Sequence, residues 1–215
     1  MRTSLWPSLA PMLTLIWGFS LCAISSASDP APRTLLFFGD SLTAGNGLSD
    51  PTTEAFPALI QEKVDDAGLK WRVVNAGLSG ETTAGGLRRV DWVLRQPVDF
   101  FVLALGANDG LRGIPPEVSR ANLQQIIDRA RARNPKVKIA VAGMQMPSTM
   151  GADFTRAFRE LFPDVAARND AVLIPFLLEG VGGRVDLNQA DRIHPNADGH
   201  AVIAETVWKA LRSHL

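Results

Sequence analysis

Five short apolar runs, each succeeded by a segment with helical periodicity, constrain this chain more than any other feature. The runs are Leu35–Phe38, Arg72–Val74, Phe100–Leu105, Val137–Ala142 and Val172–Ile174. Their lengths suit strands, and Phe100–Leu105, apolar throughout, has the character of a strand covered on both faces. The helical segments carry Phe56, Leu59, Ile60 and Val64 ahead of Gly68, then Leu87, Val90, Val93 and Leu94, then Val118, Leu123, Ile126 and Ile127 behind Pro115-Pro116. Phe154–Ala167 and Ala197–Leu211 complete the set, with Pro163 expected to kink or split the former. Strand–helix alternation repeated five times predicts an α/β domain, a three-layer sandwich whose five-stranded parallel sheet is joined by right-handed crossovers.

In such a sheet, functional residues collect in the loops that follow the carboxyl ends of the strands. Those loops hold the polar residues that need explaining. Asp40-Ser41 follows the first run, and Asn75-Ala76-Gly77-Leu78-Ser79-Gly80-Glu81-Thr82 the second. Gly106-Ala107-Asn108-Asp109-Gly110 follows the third, and Asp191-Arg192-Ile193-His194-Pro195-Asn196 lies in the long segment after the fifth.

Composition narrows the chemistry. The 22 basic and 22 acidic residues leave no positive field for nucleic acid. The single cysteine, Cys22, lies in a segment with the marks of a secretory leader: Arg2, an apolar run from Met12 to Ile24, and small residues at Ser25-Ser26-Ala27. The expected organisation is a leader over residues 1–27, a linker over 28–33 and one domain over 34–215. Cleavage after Ala27 leaves a periplasmic or secreted protein without a thiol, which excludes disulfides and cysteine chemistry. The run is too short for a stable membrane span, and Leu21 ahead of Cys22 disfavours lipid attachment.

Gly39-Asp40-Ser41 alone reads as a turn sooner than as a site, since all three residues favour turns. A catalytic serine needs a base, an orienter for the base, and donors for an oxyanion. Of three histidines, His214 is penultimate and reads as solvated, and His200 sits on the last helix, where packing is the default. His194 lies in a loop three residues after Asp191. That spacing lets the carboxylate reach Nδ1 and leaves Nε2 free to accept a serine proton, although Asp191 equally caps a turn. Gly77, without a Cβ, is expected to offer its N–H, Asn108 its side-chain amide, and Ser41 its own N–H, while Asp109-Gly110 reads as a turn. Ser79 reads as a loop serine.

Gly39-Asp40-Ser41-Leu42, Gly77, Gly106-Ala107-Asn108-Asp109 and Asp191-Arg192-Ile193-His194-Pro195 resemble the four blocks of the SGNH (GDSL) hydrolase family, in order, over the domain from about Thr34 onward. The similarity is closest to the bacterial periplasmic thioesterase/lysophospholipase/arylesterase subgroup, through Asn108–Gly113 and Pro175-Phe176. The resemblance implies a flavodoxin-like SGNH hydrolase fold, with Ser41 as nucleophile, His194 as general acid/base and Asp191 as orienter. It implies an oxyanion hole of Ser41, Gly77 and Asn108, and a structural role for Asp40. Arg192 departs from the pattern, standing where glycine is frequent.

The function expected is a serine esterase/thioesterase acting on aryl esters, lysophospholipids and acyl thioesters. It needs no metal or organic cofactor and works as a monomer on a small-molecule substrate. Leu78, Leu111, Ile114, Met144, Met146, Pro147, Leu178 and Val181 suit an acyl chain, and equally suit loops anchored to the sheet. Arg112 meets a phosphate or carboxylate head group, or is simply solvated. The competing functions are a carbohydrate O-deacetylase of the same family and a non-catalytic lipid- or carbohydrate-binding protein.

Overall fold

The structure, a computed structural model, describes Met1 and residues 31–215; apart from Met1, the expected leader lies outside the described residues. Arg33–Gly39 (β1) is buried from Thr34 onward. It lies between Trp71–Gly77 (β2) and Phe100–Ala104 (β3), followed outward by Lys138–Ala142 (β4) and Val172–Ile174 (β5). The order is β2-β1-β3-β4-β5, and every pairing is parallel.

Alternation along β1 serves both covering layers, because successive side chains point to opposite faces. Phe37 packs edge-on against Phe56 of Phe56–Asp66 (α3), with ring centroids 5.4 Å apart. Phe38 faces Gly86 of Thr83–Val93 (α4), where a Cβ would meet its ring at 3.1 Å. Helix α3 packs with Ala197–Leu211 (α8) on one face. On the other, α4, Pro116–Arg133 (α6) and Ala152–Arg168 (α7) follow one another. This is the three-layer α/β sandwich that the alternation predicts.

Register sets the site. Gly39 pairs with Gly77 on one side and Ala104 on the other, so β2, β1 and β3 end level. The chain leaves β1 for β2, then crosses back to β3, which makes the gap between the ends of β1 and β3 the topological switch point.

Three short helices occupy stretches that read as loops: Ser41–Ala44 (α1), Pro51–Glu54 (α2) and Ala107–Leu111 (α5). The first two are capped by aspartates, Asp40 accepting from Leu42 N–H and Asp50 from Thr52 N–H, with Pro51 supplying a pre-set first turn. Helix α7 runs through Pro163 without the expected break. Pro163 sits on the exposed face, as does Arg159 one turn earlier, so water can satisfy the freed carbonyl.

Candidate active site

Ser41 is the first residue after the Asp40 cap, held just past the carboxyl end of β1 and 9% exposed. The chain returns to it 153 positions later. His194 Nε2 lies 3.0 Å from Ser41 Oγ, and His194 Nδ1 lies 2.6 Å from Asp191 Oδ2. The other Asp191 oxygen accepts the N–H groups of Ile193 and His194 at 2.9 and 3.0 Å. These bonds, with the histidine's first, hold the Asp191 carboxyl down to about 2. An ionised carboxylate on Nδ1 fixes the tautomer that leaves Nε2 as acceptor for the serine proton.

The two remaining histidines are elsewhere. His200 is buried, stacked on Phe56, and its Nδ1 accepts the Phe56 N–H at 3.2 Å. Burial pulls it down to about 4, so it is a neutral packing residue near pH 7. His214 is exposed in the turn that ends the chain.

Asp40 is 1% exposed. One oxygen caps α1, while the other has no hydrogen-bond partner among the described residues. Burial pushes its carboxyl up to about 7. Among the described residues, its side chain's hydrogen bond is the one that caps α1.

On the other side of Ser41, the Asn108 side chain donates to the Glu81 carbonyl at 3.1 Å, leaving its second N–H available. Asp109, which reads as a turn residue, is instead fully buried and accepts from Thr83 N–H, Thr83 Oγ and Ser119 Oγ. It ties α5, and with it Asn108, to α4 and α6.

Gly77 does not join this group. Its N–H donates to Asn75 Oδ1 at 2.9 Å, and a Cβ there would lie 2.3 Å from Ala44 N. Glycine is required at this position by the close approach of α1, not by a ligand. The glycine that sequence reasoning passed over is Gly80. It has φ +78°, its N–H donates to nothing among the described residues, and its carbonyl accepts from Arg112 at 3.1 Å. It adjoins Glu81, which holds Asn108 through its carbonyl and is itself held by an ion pair with Arg89. The available signal was a second glycine just ahead of the Thr82 cap of α4.

A groove of about 500 Å³ opens over Ser41, Asn108 and His194. Of the residues expected to meet an acyl chain, Leu111, Met144, Met146, Pro147 and Leu178 line it. Met146 reaches the groove across Gly110, where a Cβ would meet its sulfur at 2.4 Å. Three others do not line it: Leu78 is half-exposed, Ile114 is part-buried, and Val181 is fully buried in the core. Arg112 is engaged by Gly80. Among the described residues, no three histidine, cysteine, aspartate or glutamate side chains converge as a metal site.

Comparison with known proteins agrees with this geometry. Residues 37–202 match the model of the GDSL-like Lipase/Acylhydrolase family. The chain is 39% identical to Esterase TesA of Pseudomonas aeruginosa over 94% of its own length and 98% of that protein's. It is 37% identical to Thioesterase 1/protease 1/lysophospholipase L1 of Escherichia coli over 85% of each chain. A crystal structure of TesA superposes with a TM-score of 0.79 at 40% identity, covering 85% of this chain and 100% of that one. With a matching family model, relatives and fold, the chain belongs to the GDSL-like lipase/acylhydrolase family.

Proposed function

We propose that this enzyme, an acyl ester hydrolase, works through an acyl-enzyme on Ser41 and accepts esters and thioesters alike. The observation that carries the mechanism is the continuous relay from Asp191 through His194 to Ser41, at 2.6 and 3.0 Å. His194 Nε2 takes the Ser41 proton as Oγ attacks the carbonyl, and Asp191 stabilises the imidazolium that forms. The oxyanion is received by the Ser41 N–H, the free N–H of Asn108 and, in place of Gly77, the N–H of Gly80. His194 then protonates the departing alcohol or thiol, and the same nitrogen activates water to release the acid and restore the serine.

The groove supports a reading of the substrate class. Leucine, methionine, proline and phenylalanine side chains dominate its wall, which suits an aliphatic acyl chain and argues against a specialist in acetylated sugars. The leader pattern over residues 1–27 supports export to the periplasm or medium, to be checked by the N-terminal sequence of the mature protein. Hydrolysis of p-nitrophenyl esters from acetate to decanoate tests the acyl preference. Rates that rise into the medium-chain range are expected, whereas a steady fall from acetate would contradict an acyl groove.

A further inference from the structure

Resting on that esterase reading, we propose that Arg192 sets leaving-group specificity, its guanidinium receiving an anionic phosphate, sulfonate or carboxylate carried by the alcohol or thiol half of the substrate.

The backbone supplies the first observation. Arg192 has φ +61°, a left-handed conformation that, among the described residues, only one other non-glycine, Asp170, adopts. Its N–H donates to the Gln189 carbonyl at 2.9 Å, closing the turn that carries His194. Glycine would make this turn without strain, so the arginine is held here against a local conformational cost.

The side chain supplies the second. Arg89, Arg129, Arg168 and Arg184 each pair with a carboxylate. The Arg192 guanidinium, exposed, pairs with none among the described residues, yet the residue lines the groove beside Ile193 and His194. No carboxylate lines that groove. A residue with a weakly hydrated, planar cation thus lines a groove that holds no carboxylate.

Reaction geometry says which half of the substrate it meets. His194 must reach both Ser41 Oγ and the leaving oxygen or sulfur, so the leaving group departs on the histidine's side of the carbonyl. Asn108, an oxyanion donor in that reading, comes from α5 after β3. Leu111, Met144 and Met146 belong to α5 and to the loop after β4, whereas Arg192 belongs to the histidine's own turn. Phosphorylated alcohols and phosphorylated thiols share the chemistry it recognises.

The experiment uses three octanoyl esters that differ in leaving-group charge: 4-(octanoyloxy)benzenesulfonate, p-nitrophenyl octanoate and 4-(octanoyloxy)-N,N,N-trimethylanilinium. The readout is the ratio of kcat/KM for the sulfonate to that for the trimethylanilinium, in which any general loss of activity cancels. Arg192→Gln should lower this ratio about five- to tenfold, Arg192→Lys should retain most of it, and added salt should lower it in the wild type, as for an exposed charge pair. Arg192→Gly relieves the backbone strain, and should lose the ratio equally with a melting temperature no lower than that of the wild type. Octanoyl-CoA and 1-octanoylglycerol 3-phosphate, each compared with an uncharged counterpart, then separate the thiol source of the phosphate from the lipid source. A ratio unchanged within twofold in both Arg192→Gln and Arg192→Gly overturns this inference alone. Failure of the wild type to hydrolyse any of the three esters overturns the esterase reading and this inference with it.

Discussion

Gln189 binds the loop behind the nucleophile to the turn that carries the histidine: its Nε2 donates to the Asn46 carbonyl at 2.7 Å and to the Pro195 carbonyl at 2.9 Å. Its backbone N–H donates to the His194 carbonyl at 2.8 Å. One side chain therefore fixes the distance between two loops that come from opposite ends of the chain. Gln189→Ala removes both side-chain bonds while leaving the Ser41, Asp191 and His194 side chains chemically intact. A fall in kcat of about ten- to a hundredfold is expected, with KM moved much less, because an ångström of misplacement in a relay is felt in the chemical step. Steady-state kinetics on p-nitrophenyl esters read this directly.

Asp191→Asn should cost about 10³–10⁴ in kcat. The amide oxygen can still accept from the Ile193 and His194 N–H groups, but its NH₂ donates to Nδ1 and places the ring proton on Nε2, facing Ser41. The wild type also carries a pH signature. With its carboxyl held at about 2 in the fold, Asp191 contributes stability that is complete above about pH 4 and lost as the pH falls toward 2. Acid unfolding of Asp191→Asn should lack that component.

Asn108→Ala should lower kcat by about 10²–10³ with little change in KM, as loss of one oxyanion donor does. The Glu81 carbonyl it releases belongs to a buried residue, so some loss of stability accompanies the loss of the donor. Circular dichroism and melting temperature distinguish a donor role from collapse of the loop.

Asp40 predicts the opposite pH trend to Asp191. A carboxyl raised to about 7 in the fold binds a proton that the unfolded chain has released, so its contribution is complete below about pH 4 and fades as the pH rises through about 7. The full effect is at most about 4 kcal/mol between those limits. Asp40→Asn cannot ionise, and its Oδ1 can still cap α1. Urea unfolding at pH 5 and pH 8 should show a smaller loss of stability across that interval in Asp40→Asn than in the wild type.

Much of this was legible in the sequence because the relevant signals are local. Strands buried on both faces must be apolar runs, and Asp191 and His194 sit in one short turn. Backbone donors left no such trace. Gly77 and Gly80 are three residues apart in the same loop, and only φ and the partner of each N–H separate the glycine needed for Ala44 from the one with a free donor. Apolar loop residues were equally opaque: Val181 and Met146 look alike in sequence, yet one is core and the other lines the groove. Asp109 was misread for a related reason. Its Asp-Gly pair signals a turn, but its carboxylate is claimed by Thr83 and Ser119 from distant helices.

The central claim, that Ser41 becomes acylated, is tested most directly by treating the protein with a fluorophosphonate and mapping the adduct by peptide mass spectrometry. One adduct per chain on Ser41, formed in step with loss of esterase activity and absent in Ser41→Ala, is the predicted result. An adduct on another residue, or esterase activity surviving in Ser41→Ala, would contradict it.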